Sequence, residues 1–343
     1  SFYRVYSIYI LFYNAGSCNC WINSNKFTFH TNHFSLINFF LLPYLSYKLF
    51  KYIQNNDIAL VQSHLFRSNY VNLLTKFLFQ TTNQVQIVNH RVISKYTNKG
   101  FQGKVNKFLI KYLYPYSNTI ISVSNVVNRD MQLLFNFKTN LDVIYNPFDI
   151  NLIKKLSHEK ITDFNFNKEK FYLIVVGRLI KLKKIDDLIN LLAKLETSVE
   201  LILIGEGSER DNLYELSKDL NTTTRVHFLG WRDNPFKYIR KSNILLSASE
   251  TESFGNTIIE AMICETLVIS TDSGGPSEII DHEINGVLVP VGSINMFFHY
   301  VNYFIENINI SHVYTTNASI KVKKFNVDNI MNRYKFVMKT KDK

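Results

Sequence analysis

Glu252 and Glu260 stand at the two ends of the string ESFGNTIIE. Ile244–Leu246 before them and Leu267–Ser270 after them are short apolar runs of the kind that form buried parallel strands. Asn256–Cys264, between those runs, reads as a helix opening just after Gly255. A helix start presents unpaired N–H groups and the positive end of the backbone dipole, which suits a phosphate. Glycine at 255 lets the backbone approach a ligand closely. Glu252 falls in the loop and Glu260 within the helix, so both carboxylates can edge one pocket around that tip. A ligand with a diphosphate centre and hydroxyls on both sides, as in a nucleotide sugar, fits such a pocket. Taken alone, the two acids are better read as solvated glutamates on a plain strand–loop–helix.

A cationic group lies upstream. Arg178 and Lys183 follow the strand pattern Tyr172–Val176 through Gly177. Strand ends are the ligand side of a parallel sheet. A diphosphate leaving group gathers negative charge as its bond to a sugar breaks, and fixed cations aimed at it stabilise that transition state. Each of the two alone is an ordinary surface cation.

Strand and helix patterns alternate through the whole chain, which implies parallel sheets with helices around them. The 343 residues suffice for two domains, and an apolar content of 46% supplies their cores. In the first half, strands are expected at Phe2–Phe12, Phe27–Phe29, Ile58–Gln62, Val85–Val88, Ile120–Val123 and Val143–Tyr145. Helices are expected over Phe34–Ile53, kinked or split at Pro43, over Ser68–Phe79 and over Val126–Phe135. Asn151–Lys170 reads as an interdomain linker with a variable loop, and Ile320–Val337 as one basic amphipathic helix. No apolar run is long enough to span a membrane. Cys18-x-Cys20 lacks the second pair a zinc site needs, and three cysteines in all fit a reducing compartment.

Charge is unevenly spread. Residues 1–150 hold 14 of the 39 Lys and Arg but four of the 28 acids, so nearly all of the net +11 sits there. Such an asymmetry asks for an anionic partner: a membrane surface, a lipid diphosphate, an acidic glycan or nucleic acid. No recognisable nucleic-acid module accompanies it, so nucleic acid is not expected. Arg91, Lys95, Lys104, Lys107 and Lys111 fall in an acid-free stretch whose 101–113 part is amphipathic at helical period. It is either a membrane-facing helix or a packed helix with a solvated basic face.

These strings together resemble the retaining glycosyltransferases of family 4. E-x7-E with SFGN inside, the following SGGPSEII and NGVLVP, and the GRL-x-x-x-K of Gly177–Lys183 carry the resemblance. It is dense over 171–290, thinner over 57–150 and poor before that. The glycine that usually follows the motif lysine is Lys184 here. The resemblance implies a GT-B fold: α/β, two Rossmann-like parallel-sheet domains facing across a cleft. Residues 1–150 would form the acceptor domain, with a truncated or divergent start, since the family's first strand and glycine-rich loop are not found. Residues 151–322 would form the nucleotide-sugar domain, and 323–343 a helix crossing back to the first.

The resemblance also distributes roles. Arg178 and Lys183 would hold the diphosphate together with amides around Phe254, Gly255, Asn256 and Thr257. Glu260 would bind the ribose and Glu252 the transferred sugar. Gly177, Gly205, Gly207 and Leu229 would border the donor. His90, in IVNH, is similar to a family histidine near the sugar, and His64, in VQSH, is a second candidate. Arg91, Lys95, Lys104, Lys107 and Lys111 would face the acceptor or membrane. Asn146, in YNPFD, would shape the hinge.

The implied activity is a metal-independent, retaining, hexosyltransferase-type transfer by front-side attack. The donor would be a UDP- or GDP-sugar acting as co-substrate, with no cofactor; no Asp-x-Asp string is present. The acceptor would be lipid-linked or a polysaccharide, at the cytoplasmic face of the membrane, with the enzyme peripheral to it. The alternatives are an inactive GT-B pseudo-enzyme or a nucleotide-sugar epimerase on the same fold.

Overall fold

The computed structural model describes residues 10–14, 41–97, 100–135, 137 and 139–339. They divide into two compact units, one ending at Ile144 and one beginning at Tyr145. The expected strand at Phe27–Phe29, the start of the Phe2–Phe12 strand, and Cys18 and Cys20 lie outside the described residues.

In the first unit the sheet runs in the order β1 (Ile10–Asn14), β2 (Ile58–His64), β3 (Gln84–Asn89), β4 (Thr119–Ser122) and β5 (Asn140–Val143). β2 to β5 are parallel. β1 is an exception to the parallel expectation, pairing antiparallel with β2 at the edge. Among the described residues, four longer helices accompany these strands, α1 (Leu42–Asn55), α2 (Phe66–Phe79), α3 (Gly100–Leu113) and α4 (Asn125–Leu134), with one further helical turn at Ser94–Thr97. Residues 34–40 of the expected Phe34–Ile53 helix lie outside the described residues; Pro43 sits in the first turn of α1, where its missing N–H breaks no helical bond. The apolar stripe of α1, Leu42, Leu45, Leu49 and Ile53, is buried with Val61, Leu73, Val85 and Ile87 in one core.

α3 packs through a small, polar seam. Its buried positions are Gly103, Asn106, Ile110 and Leu113, with Asn106 Oδ1 accepting from the Tyr70 hydroxyl at 3.1 Å. Phe101 (70% exposed), Phe108 (60%) and Tyr112 (53%) therefore turn outward, beside the exposed Lys104, Lys107 and Lys111. A small, polar seam lets the helix sit close to its neighbours, and this displaces the aromatic residues to the surface.

The second unit carries β6 (Phe171–Val176), β7 (Val199–Ile204), β8 (Val226–Gly230), β9 (Ile244–Ser247), β10 (Leu267–Thr271) and β11 (Val287–Val289), all parallel, in the order β11-β10-β9-β6-β7-β8. Its helices are α5 (Ile150–Ser157), α6 (Ile185–Lys194), α7 (Arg210–Asp219), α8 (Phe236–Lys241), α9 (Asn256–Ile263), α10 (Ile294–Glu306), α11 (Ser311–Lys321) and α12 (Val327–Lys339). The order of strands reverses between β6 and β9, so a crevice opens at their C-terminal ends, the usual ligand position in doubly wound sheets.

Two expectations for this unit are corrected. The stretch read as a linker contains α5, whose N-terminus is capped by Asp149 Oδ1 accepting from Leu152 N–H at 2.9 Å. Phe164 and Phe166 then pack edge-on against Tyr172. The tail is not one helix: Asn326 takes an extended ψ of 141° between a 3-10 turn and α12. That break lets Phe148 N–H donate to Phe325 O, and Val327 N–H to Phe148 O, each at 2.9 Å.

Candidate active site in the second unit

β6, β7 and β8 end in loops laced to one another. Gly177 N–H donates to Ile204 O at 2.9 Å, and Gly205 N–H to Gly230 O at 2.8 Å. The approach leaves no room for a side chain: a Cβ on Gly205 would lie 1.9 Å from Gly177 O, and its φ is +137°. A Cβ on Gly207 would likewise lie 2.1 Å from Leu179 O, so both glycines are required by close packing of the loops. Leu229 is half-buried on β8 beside them.

Gly177, Arg178 and Lys183 from the β6 loop share the crevice with Ser247, Ser249 and Thr257 from β9 and the start of α9. Lys183 Nζ sits 2.6 Å from Glu252 Oε2. Arg178 is exposed and, among the described residues, makes no ion pair. Two loops distant in sequence are therefore joined by a lysine–carboxylate contact with a second, uncommitted cation beside it. Lys184, where the resembling family has glycine, takes the left-handed conformation at φ +50° and pairs with Glu250 at 3.4 Å. The lysine thus keeps the backbone turn a glycine would make, and adds a second tie between the same two loops.

The start of α9 is open. Its first residue follows Gly255, at φ +111°, and no side chain caps it; Ile258 N–H turns back to Gly255 O at 3.1 Å, which leaves the amides of Asn256 and Thr257 as the open donors of the first turn. Asn256 is partly engaged, its Oδ1 accepting from Asn146 Nδ2 at 2.9 Å. Asn146 thus holds the first residue of α9. The Phe254 side chain is buried, stacked on Tyr145 and edge-on to Phe325. Its ring is thus committed to packing. Glu260, one turn into α9, is largely buried, and burial pushes its carboxyl up to about 7.

Three contributors escaped sequence reasoning. Ser273–Gly275 flank Glu252 as a short ladder: Glu252 N–H donates to Ser273 O at 3.1 Å, and Gly275 N–H to Glu252 O at 2.8 Å. A Cβ on Gly275 would meet the Phe254 backbone at 2.4 Å. The Gly274-Gly275 doublet was the available signal. Ser249 Oγ is buried at the crevice with no hydrogen-bond partner among the described residues, and its SASE setting carries no comparable cue. The third is Gln62, in the first unit.

The remaining candidates belong to the first unit. His64 closes β2 and His90 follows β3, and His64 Nδ1 lies 2.9 Å from His90 Nε2. Gln62 Oε1 is 3.3 Å from His64 Nε2. Burial, helped for His64 by the neighbouring His90 ring and for His90 by Arg91, lowers both imidazoles to about 4, hence neutral at physiological pH. Arg91 stacks on Tyr96 at 4.9 Å, and Lys95 is exposed.

The family described as Glycosyl transferases group 1 matches residues 157–321. A Campylobacter jejuni protein, N-acetylgalactosamine-N,N'-diacetylbacillosaminyl-diphospho-undecaprenol 4-alpha-N-acetylgalactosaminyltransferase, is 32% identical over 292 residues, covering 84% of this chain and 79% of its own. The chain belongs to the group 1 glycosyltransferases. Among solved structures, sucrose-phosphate synthase from Thermosynechococcus elongatus superposes on this glycosyltransferase with a TM-score of 0.78 at 20% identity, over 90% of this chain and 80% of that one. HepE from Anabaena in complex with UDP gives 0.75 at 22%, over 86% and 82%. The transferase therefore has the GT-B fold, with two parallel-sheet α/β domains.

Proposed function

We propose that this glycosyltransferase moves a hexose-type sugar, with retention and without a metal, from a UDP- or GDP-sugar to a lipid-linked or polysaccharide acceptor at the cytoplasmic membrane face. The observation that carries the donor reading is the crevice at the β6/β9 switch point, where Arg178, Lys183 and the start of α9 converge. A diphosphate seated there meets two cations and a helix tip, all complementary to the charge that builds as the sugar departs. Glu252 takes the sugar hydroxyls and Glu260 the ribose, which sets the sugar and nucleoside on opposite sides of the phosphates. Attack by the acceptor hydroxyl on the face the leaving group vacates gives retention, with a phosphate oxygen taking the proton. HepE is seen with UDP, and the Campylobacter relative is named for a diphospho-undecaprenol acceptor; both support the reading.

A panel of UDP- and GDP-sugars screened by thermal shift tests it, followed by product analysis with membrane extract in EDTA. One donor should raise the melting temperature and yield an α-linked product, and Arg178→Ala should remove the shift. A panel that leaves the wild-type melting temperature unmoved would refute the donor site. Binding without transfer would favour a pseudo-enzyme, and an interconverted nucleotide sugar an epimerase.

The membrane reading rests on the outer face of α3. Lysines interleaved with exposed aromatic rings suit an anionic interface, each lysine contributing about 1 kcal/mol near such a surface. Among the described residues no helix is long and apolar enough to cross a membrane. Sedimentation with anionic liposomes should carry the wild type down and leave a Lys104→Ala/Lys107→Ala/Lys111→Ala variant in solution; equal sedimentation of both would remove α3 from the interface.

A further inference from the structure

The histidine pair in the first unit is the end of a longer polar chain. β2 and β3 are parallel neighbours, with Gln62 opposite Gln86 and His64 opposite Val88. Side chains two residues apart share a face of a sheet, so Gln62, His64, Gln86 and His90 line up on one side of the two strands. Gln62 Nε2 donates to Gln86 Oε1 at 3.1 Å, and both glutamines are buried. The backbone fixes this row firmly. The residue after His64, Leu65, takes φ +68° and ψ 157°, a region that side-chain-bearing residues rarely enter and that persists where the surroundings over-determine it. The Ser68 hydroxyl donates back to His64 O.

Donor and acceptor counting gives the row a direction. With the Gln62 amide nitrogen placed on Gln86 Oε1, its oxygen faces His64 Nε2, and in this amide orientation that nitrogen carries the hydrogen. A neutral imidazole has one N–H and one bare nitrogen, so His64 Nδ1 is bare and accepts from His90 Nε2–H across 2.9 Å. His90 Nδ1 is then left with a free lone pair.

We propose that Gln62 and His64 are positioning residues that hold His90 in its Nε2–H tautomer, so that His90 Nδ1 meets substrate as a hydrogen-bond acceptor for a hydroxyl. The Nδ1–H tautomer would present a donor at the same place, which a hydroxyl oxygen could accept but which could take no proton from the hydroxyl. Both rings remain neutral through the physiological range, so the choice is between tautomers and not between charge states. His90's contact with a hydroxyl rests on the transferase function proposed above; the tautomer does not.

The experiment therefore has two arms on the full chain. In the first, the ring-nitrogen NMR signals of 15N-histidine-labelled wild type are assigned with the single variants His64→Asn and His90→Ala. Each of the two rings should show a protonated Nε2 and a bare Nδ1. Gln62→Met, which removes the direction-setting oxygen at similar volume, should turn the His90 signals into a tautomer mixture. A protonated Nδ1 on His90 in the wild type, or signals unmoved by Gln62→Met, would overturn the proposal. In the second arm, transfer kinetics with the donor found by the thermal-shift panel should show kcat lowered roughly 10-fold or more by Gln62→Met and His64→Leu, with donor KM little changed. His64→Asn, whose Oδ1 can replace the Nδ1 acceptor, should recover most of that loss. Loss in His64→Asn equal to that in His64→Leu would overturn the positioning role. A wild type inactive with every donor would refute the proposed transfer while leaving the NMR arm intact.

Discussion

Replacing Lys183 with alanine is expected to lower kcat/KM for the donor by roughly 10²- to 10³-fold, and adding Glu252→Gln to that variant is expected to restore part of the lost nucleotide affinity. The reason is the 2.6 Å contact between the two side chains, each about a quarter exposed. In the free protein Lys183 neutralises Glu252. Remove the lysine, and a carboxylate with no counter-charge is left at the crevice that must receive a diphosphate. The loss in Lys183→Ala then has two parts: a missing cation and an unmasked anion. Glu252→Gln cancels only the second. Titration calorimetry with the nucleoside diphosphate alone, which has no sugar for Glu252 to hold, separates these parts across wild type, both single variants and the double. Affinity should fall most in Lys183→Ala and less in the double variant. Strictly additive effects would mean the contact is not coupled to nucleotide binding.

Glu260→Gln should act in opposite directions on stability and on binding. Burial raises the Glu260 carboxyl from its ordinary 4.5 to about 7 in the folded protein. The folded state therefore binds this proton more tightly than the unfolded chain. Its contribution is fully present below pH 4.5 and is lost as pH rises toward 7, after which the deficit is constant. The window spans two to three pH units, which corresponds to roughly 3 kcal/mol. Glutamine does not titrate. The variant should match the wild type near pH 5 and exceed it near pH 8, read as unfolding midpoints in urea at the two pH values. Nucleotide affinity should fall roughly 10- to 100-fold, since hydroxyls donating to a carboxylate contribute about 1.5–3 kcal/mol. By the same logic, nucleotide binding below pH 7 should release a proton from Glu260. An unchanged pH profile in Glu260→Gln would show that this carboxyl is ionised normally.

Much of the donor side could be read from the chain. Strand-end glycines, cations a few residues beyond, and two acids flanking a glycine-led helix are local patterns, and local patterns survive in a linear string. Pro43, α3 and the tail could not be read in the same way. Proline inside an apolar run marks either a kink or a helix start, and spacing does not separate them. The outward turn of Phe101 and Phe108 depends on Gly103 and Asn106 sitting against other elements, which no periodicity encodes. The break at Asn326 depends on Phe148, distant in sequence, supplying a bridge.

By itself the sequence determined the α/β class, the strand and helix succession of the donor half, and the residue types able to grip a diphosphate. Each follows from propensity, period or charge within a short window. Only the tertiary structure decided which of those residues meet. Lys183 and Glu252 touch because β6 and β9 are neighbours at the point where strand order reverses, and His64 and His90 touch because β2 and β3 are parallel in that register. Neighbour and register are set by burying whole sheet faces at once, a sum over the entire core that no single stretch of chain carries.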